Sequence, residues 1–269
     1  MMDPIRKIVA VVGCQRSGTT LTGQILGTHD NVLMIDEFDG LYTWFKTLEN
    51  AGPDGPAFID ETTLTKAASK YKSPQQKIQT VGGSVSLNAR IDTLVLKAPN
   101  LTFDAAALAN LQTEVLVIYP VRDPRAVVAS MMRLSKINFV ENQMKRLSKH
   151  PETIKRFPKE YEILTDANQP YWTRAALVWK IKSCLSDEFS NRGLPVFQFR
   201  YEDLAETPKR VIAEMLGFCG LPDTQTPYRH DSVYCGFGPG DTDRTRSVDD
   251  TTVKTWKIEL EQAVADGVL

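Results

Sequence analysis

The feature that most constrains the fold of this chain is the stretch GCQRSGTT at residues 13–20. It follows the apolar run KIVAVV and leads directly into LTGQIL, which indicates a loop between a strand and a helix. Gly13 and Gly18 have the spacing G-x-x-x-x-G, in which backbone N–H groups and the N-terminus of the following helix form a cradle for an anion. The stretch therefore predicts a strand, loop and helix unit that binds a phosphate compound.

The loop lacks one residue that nucleoside triphosphate sites use. Thr19 stands where the P-loop pattern requires lysine, and Thr20 stands at its serine or threonine position. In ATP and GTP enzymes that lysine reaches the β and γ phosphates. Here the cation of the loop is Arg16, which suits a single 5′ phosphate that carries a group to be transferred. The alternative interpretation is a tight strand-to-helix turn whose glycines serve no ligand.

The rest of the chain alternates short β-branched runs with helical segments, which is typical of an α/β protein whose parallel sheet is flanked by helices. The predicted strands lie at residues 7–13, 93–99, 114–121 and 194–201. The predicted helices lie at 19–27, 124–134, 171–192, 207–217 and 252–266. Residues 46–90 and 135–170 have weaker patterns, and we expect them to cover the active site and select its substrate. No linker or repeat divides the 269 residues, so we expect a single domain over 1–269.

The composition argues against several classes of function. A net charge of −1 does not suggest a nucleic-acid partner, so an anionic ligand has to be bound by a local basic pocket. The apolar runs are shorter than the roughly 20 residues of a membrane span, and the N-terminus does not resemble a signal peptide. We therefore expect a soluble, cytoplasmic protein with no membrane partner. The four cysteines and three histidines lack metal-ligand spacing, which predicts no metal and reduced cysteines, with a Cys219 to Cys235 bridge left open.

A second motif, YPVRDPRAVVASMM at 119–132, joins a strand end to a helix start. Its Arg122 offers a fork of donors to a phosphate dianion, and Ser130 on the predicted helix adds a hydroxyl donor. The two motifs together resemble the 5′-phosphosulfate loop and the 3′-phosphate motif of the sulfotransferases that use 3′-phosphoadenosine 5′-phosphosulfate (PAPS). Similar segments at 171–180 and 199–222 extend the resemblance over roughly residues 7–222. The layout is nearest to the tyrosylprotein and carbohydrate branches.

The resemblance implies a set of donor-binding residues. These are Arg16, Ser17, Gly18, Thr19 and Thr20 for the 5′ phosphosulfate, and Arg122 and Ser130 for the 3′ phosphate. Tyr201 corresponds to a tyrosine near the nucleotide, and Trp172 to a tryptophan beside the adenine. In the tail, Arg244 and Arg246 would close over the 3′ phosphate, and Ser247 occupies the place of a transition-state serine.

We expect Glu37, in LMIDEFDGL, to be the base that takes the proton of the acceptor hydroxyl. It lies 21 residues after Arg16, the spacing at which tyrosylprotein sulfotransferases have their catalytic glutamate. Asp36 and Asp39 are neighbours and stay open as alternative bases. Lys97 ends a predicted inner strand, at the edge where open α/β sheets bind ligands, and the family has a lysine in the matching segment. We therefore expect Lys97 to meet the transferring sulfuryl group.

The resemblance implies a sulfotransferase that moves a sulfuryl group from PAPS to a hydroxyl acceptor, without a metal. The acceptor is a peptidyl tyrosine, a carbohydrate or another small alcohol, and neither 46–90 nor 135–170 has a pattern that decides among them. Two alternatives stay open: a P-loop kinase, against which Thr19 argues, and a PAPS-binding module without catalysis. The absence of an anchor favours a soluble bacterial enzyme or a catalytic domain excised from a longer protein.

Overall fold

The computed structural model describes residues 5–51, 59–134, 137–238, 242–251 and 253–268. The first half of the chain contains β1 (Lys7–Val11), α1 (Thr19–Gly27), β2 (Val32–Asp36), α2 (Leu41–Ala51), α3 (Glu61–Ala68), β3 (Ile78–Val81), β4 (Ser84–Leu87), β5 (Thr93–Lys97), α4 (Ala105–Ala109) and β6 (Glu114–Val121). The second half contains α5 (Pro124–Arg133), α6 (Phe139–Leu147), α7 (Pro151–Arg156), α8 (Pro158–Thr165), α9 (Tyr171–Ser183), α10 (Ser186–Ser190), β7 (Val196–Arg200), α11 (Tyr201–Glu206), α12 (Pro208–Phe218), α13 (His230–Val233), β8 (Phe237–Gly238), β9 (Thr242–Asp243), α14 (Trp256–Glu259) and α15 (Gln262–Gly267). Short 3₁₀ helices lie at Pro74–Gln76, Pro99–Phe103 and Pro227–Arg229.

Five strands form one parallel sheet in the order β2, β5, β1, β6, β7. The central strand β1 pairs with β5 on one side and β6 on the other, so Val11 lies opposite both Lys97 and Ile118. The strand order reverses at β1, and open α/β sheets bind ligands beyond the carboxyl ends of the strands at such a point. The loop after β1 and the lysine at the end of β5 therefore share the edge where a ligand site is expected.

The prediction of a central parallel sheet flanked by helices is confirmed, and the four predicted strands occur as β1, β5, β6 and β7. The helix predicted at 19–27 has these bounds in α1, and those at 124–134 and 207–217 correspond to α5 and α12 within one residue. The sequence predicts no strand at β2. Its five residues, VLMID, are short and almost continuously apolar, and such runs fit a strand or a buried helix equally well.

Two predicted helices are interrupted. The segment 171–192 forms α9 and α10, which meet at the buried Leu185 with no glycine or proline between them. The segment 252–266 contains only the short helices α14 and α15, and Thr252 lies outside the described residues. Three helices occur in 137–170, the described part of this segment, and α7 ends at Arg156 because Pro158 disfavours helical backbone at Phe157, the residue before it.

The buried apolar residues form two main clusters. The larger one surrounds the sheet and includes Val9, Leu94 and Val117 from its three central strands. The second joins α5, α6 and α9, and Cys14 from the loop after β1 packs into it. Because of this second cluster, α9 lies directly behind the loop.

Within the described ranges, no helix is long and apolar enough to cross a membrane. Cys219 and Cys235, for which the sequence leaves a bridge open, are separate thiols.

Candidate active site

The loop between β1 and α1 has an unusual backbone. Gly13 and Gly18 have φ angles of +115° and +92°, and Arg16 between them has +69°, a region that residues with a Cβ rarely adopt. Gly18 at the N-cap of α1 has no side chain, so it cannot cap the first-turn N–H groups of the helix. A Cβ at Gly18 would lie 2.4 Å from Cδ2 of Tyr201, so only glycine fits beneath that ring. The loop thus has the strained turn and uncapped helix N-terminus of an anion site.

Side chains from the two motifs meet above this loop. Nε of Arg16 donates to Oγ of Ser130 at 2.9 Å, and Nη1 of Arg122 donates to the carbonyl oxygen of Arg16 at 3.1 Å. The guanidinium carbon of Arg122 lies 4.3 Å from the ring centre of Tyr201, a cation–π distance. Burial lowers the pKa of Arg122, and the neighbouring Tyr201 and Glu202 oppose that effect. A chain of contacts therefore joins three segments that are far apart in the sequence: the loop, the second motif and the end of β7.

A cavity of about 460 Å³ opens beside this cluster. The sequence-predicted residues that line it are Arg16, Gly18, Thr19, Thr20, Arg122, Ser130, Tyr201, Arg246 and Ser247. Ser17 does not line the cavity; it is fully buried, and its Oγ has no hydrogen-bond partner among the described residues. The volume lies in the range of small-molecule sites, and its three predicted guanidinium groups favour an anionic ligand.

Glu37 and Lys97 form an ion pair at the ends of β2 and β5. Nζ of Lys97 lies 3.0 Å from Oε1 of Glu37; the lysine side chain is fully buried, and 18% of the glutamate side chain is exposed. Gly23 of α1 makes room for the lysine, since a Cβ there would lie 2.9 Å from Cγ of Lys97. Neither member of the pair lines the 460 Å³ cavity, although both lie at the same edge of the sheet.

The two aspartates beside Glu37 have structural partners. Nζ of Lys70 lies 2.8 Å from Oδ2 of Asp36 and also contacts Asp39, whose Oδ2 accepts from the Asp36 N–H at 2.7 Å. Nη2 of Arg244 lies 3.6 Å from Oδ2 of Asp36. Burial opposes ionisation of both carboxyls. At Asp36 the charges of Lys70 and Lys97 and the hydrogen bonds from Lys70 and the Phe38 N–H together outweigh burial, so its pKa is lowered. The pKa of Asp39 is raised by burial and by the charge of Asp36, against the effect of Lys70. These contacts fix the turn that follows β2.

The C-terminal segment contributes Arg246 and Ser247 to the cavity lining, but not Arg244. The backbone carbonyl of Arg246 lies 3.2 Å from Nε2 of the buried His230. Arg244 does not line the cavity, because it turns towards Asp36. Trp172 does not line it either; a Cβ on Gly267 would lie 2.6 Å from its ring, so the indole packs against α15.

Two cations near the loop are not among the residues predicted from the sequence. Arg133 lines the cavity one helical turn after Ser130, with Nη2 3.5 Å from its Oγ, and also pairs with Glu259. Its spacing of three residues from Ser130 on a helix is a signal that was available in the sequence. Lys182 lies behind the loop, with Nζ 2.8 Å from Oε1 of Gln15. No pattern distinguishes it from the solvated lysines that helices usually present.

In the part of the chain that the structure describes, no group of three or more His, Cys, Asp or Glu side chains is suited to a metal ion.

A parallel sheet with a glycine loop at its switch point, beside a cavity rich in arginine, defines an α/β protein with an anion-binding cavity at the edge of its sheet. The family model described as "Sulfotransferase family" matches residues 9–225, more than half of the chain. The chain belongs to the sulfotransferase family.

The fold is similar to that of two solved sulfotransferase domains. One is the "Sulfotransferase Domain from the Curacin Biosynthetic Pathway", with a TM-score of 0.54 and 16% identity over 100% of this chain and 97% of that chain. The other is the "Sulfotransferase Domain from the Synechococcus PCC 7002 Olefin Synthase", with a TM-score of 0.50 and 16% identity over 99% of this chain and 93% of that chain. Identities this low show a shared fold alone. No curated protein matches the chain at a significant level.

Proposed function

We propose that this protein transfers a sulfuryl group from PAPS to a hydroxyl acceptor. The observation that carries the proposal is the 2.9 Å contact between Nε of Arg16 and Oγ of Ser130, which joins the loop to the second motif at the mouth of one cavity. A donor with phosphate groups at both ends of a nucleoside needs two such anion sites at a fixed separation. The family membership of the chain supports sulfuryl transfer as the reaction.

The donor site that we propose divides into two ends. The loop N–H groups, the start of α1 and Arg16 bind the 5′ phosphosulfate, and the buried, unpartnered Oγ of Ser17 supports an additional hydroxyl donor there. Arg122 and Ser130 bind the 3′ phosphate, with Arg246 above them. Tyr201 packs on Gly18 and on Arg122, which places its ring between the two ends.

The acceptor site that we propose lies at Glu37 and Lys97. The acceptor oxygen forms a bond to sulfur while the bond between sulfur and the bridging 5′-phosphate oxygen breaks, and that oxygen keeps the electron pair. Glu37 takes the acceptor proton, and Lys97 and Arg16 stabilise negative charge as it develops on the sulfuryl and phosphate oxygens. In the structure Lys97 donates to Glu37. We propose that the lysine turns towards the sulfuryl group when the donor binds, which leaves the carboxylate to accept the proton.

We also propose that residues 1–269 act as one sulfotransferase domain with no metal requirement. The acceptor is a hydroxyl compound, and peptidyl tyrosine, carbohydrates and small alcohols are the acceptors to assay first. The reaction needs no magnesium because the donor has no β,γ-phosphate pair for the ion to bridge.

The test is calorimetric titration with PAPS, with adenosine 3′,5′-bisphosphate and with ATP, followed by an assay of sulfate transfer to a panel of hydroxyl compounds in EDTA. We expect both adenosine 3′-phosphates to bind more tightly than ATP and transfer to persist in EDTA. A preference for ATP that depends on magnesium contradicts the proposal and indicates a kinase. Tight PAPS binding without transfer to any acceptor indicates a binding module.

A further inference from the structure

Lys182 of α9 is a fully buried cation that no role assigned above explains. Its Nζ lies 2.8 Å from Oε1 of Gln15, 3.4 Å from Oε1 of Gln143 and 3.5 Å from Oδ1 of Asn100. An ammonium group has three donors, and three side-chain amide oxygens surround this one. Among the described residues, no carboxylate lies at ion-pair distance from it. The amides therefore take the place of the water that a lysine head group normally requires.

The three amides belong to three different segments of the chain. Gln15 directly precedes Arg16 in the loop, and its Nε2 donates to Oδ1 of Asn100 at 2.7 Å. Asn100 follows Lys97 by three residues, just beyond the end of β5, and Gln143 lies on α6. The lysine thus connects the loop to the strand end that carries Lys97, and its own carbonyl oxygen is fixed by the hydroxyl of Tyr119 in β6.

We propose that Lys182 is a positioning residue for sulfuryl transfer: its ammonium group fixes the Gln15 side chain and so keeps the loop in the conformation that binds the 5′ phosphosulfate. The role assigned to the loop rests on the proposed function. The contacts of Lys182 also place a positive charge behind the loop, on the side away from the ligand, where it attracts an anion bound in front. Unlike Arg16, it does not line the cavity.

The surroundings of Lys182 make its charge sensitive to pH. Cys14 faces it from the loop, Glu37 from the end of β2, Asp104 from the segment after β5 and Arg146 from α6, and the ring of Phe103 lies 5.2 Å from Nζ. Burial lowers the pKa of Lys182 to about 7, against the opposing effects of the nearby acidic groups. Protons are lost from the folded protein as the pH rises through this value, so anion binding at the loop is expected to weaken towards alkaline pH.

The experiment compares Lys182→Met, Gln15→Leu and the double variant with the wild type. The matched control is Lys180→Met, since Lys180 lies on the same helix but is exposed and pairs with Glu160. Affinity for adenosine 3′,5′-bisphosphate is measured by calorimetry between pH 6 and pH 9, and circular dichroism checks the fold. We expect each single change to weaken binding about tenfold at pH 6, the double change to weaken it no further, and Lys180→Met to leave it within about twofold.

The pH profile separates this role from a merely structural one. The wild type should lose affinity from pH 6 to pH 9 more steeply than Lys182→Met, because only the wild type has the titrating ammonium group. Three results would each overturn the proposal. The folded single variants bind as tightly as the wild type at pH 6, the fold-losses of affinity in the two single variants multiply in the double variant, or the pH profiles of the wild type and Lys182→Met are parallel. Should Lys182→Met fail to fold, the decision is made on Gln15→Leu, whose folded protein must lose the affinity at pH 6 although its Lys182 ammonium group still titrates.

A second readout does not depend on the donor. Cys14 is buried in the loop next to Gln15, so alkylation of its thiol reports opening of the loop, and peptide mass analysis separates it from the other three cysteines. We expect alkylation of Cys14 to be faster in Lys182→Met and Gln15→Leu than in Lys180→Met and the wild type. If the wild type binds no adenosine 3′-phosphate, the proposed function fails, and unchanged Cys14 protection is then the result that overturns the positioning role of Lys182.

Discussion

Glu37 has a different ion-pair partner from the neighbouring aspartates, Asp36 and Asp39. Its carboxylate faces Lys97 and is partly exposed, whereas Asp36 and Asp39 are buried against Lys70. We expect Glu37→Gln to leave PAPS affinity nearly unchanged and to lower kcat by about 10²–10⁴, because the amide has the shape of the carboxylate but cannot take the acceptor proton. Single-turnover sulfate transfer and calorimetry on the same sample measure the two effects separately.

The matched controls are Asp36→Asn and Asp39→Asn. Each removes one acceptor of the buried Lys70 ammonium group, so we expect a loss of stability of about 1–3 kcal/mol, measured by urea unfolding, and kcat in the folded fraction near that of the wild type. If Glu37→Gln is fully active while Asp36→Asn or Asp39→Asn is folded but inactive, the base is that aspartate and not Glu37. If all three retain activity, the base lies elsewhere in the site.

At the scale of elements, α5 and the end of β6 form the proposed 3′-phosphate site. We expect Arg122→Ala and Ser130→Ala to weaken PAPS binding by roughly 1.5–3 kcal/mol each, and binding of adenosine 5′-phosphosulfate by less, since that ligand lacks the 3′ phosphate. Both side chains also contact Arg16, so some loss for the shorter ligand is expected. Met132→Ala, exposed on α5 and outside the cavity lining, is the control. Equal losses for the two ligands would show that these residues do not read the 3′ phosphate.

Elements differ in how far the sequence predicts them, for physical reasons. The α1 bounds follow from local signals, because Gly18 starts the helix from a left-handed turn and the apolar strand before it is unambiguous. The junction of α9 and α10 has no such signal, because tertiary packing of Leu185 ends α9 there. Contacts between residues that are far apart in the sequence are even harder to predict. Nothing near Lys70 or Lys182 in the sequence indicates that each reaches a residue of the site more than thirty positions away.

At the scale of the whole molecule, the C-terminal segment depends on a buried histidine. Nε2 of His230 lies 3.2 Å from the Arg246 carbonyl oxygen, and its Nδ1 is buried without a partner among the described residues, so the neutral ring with its proton on Nε2 fits the site. Burial lowers the pKa of His230, and Asp231 only partly opposes this. The charged ring would have a second N–H group that is buried and without a hydrogen bond. This group would lie close to Arg246, which lines the cavity.

This predicts a loss of stability in mild acid. Because the pKa of His230 in the folded state lies below its ordinary value near 6.5, the unfolded chain binds more protons, and the free energy of unfolding falls as the pH drops below about 6.5. His230→Gln keeps an amide donor for the Arg246 carbonyl but has no such titration. Urea unfolding at pH 7.5, 6.5 and 5.5 should show the wild type losing more stability than the variant, by at most about 1.4 kcal/mol per pH unit. His29 and His150, whose pKa values are also lowered by burial, titrate in both proteins and cancel in the difference. Parallel curves would mean that His230 takes no part in the acid sensitivity, and that the contact with Arg246 does not depend on the neutral ring.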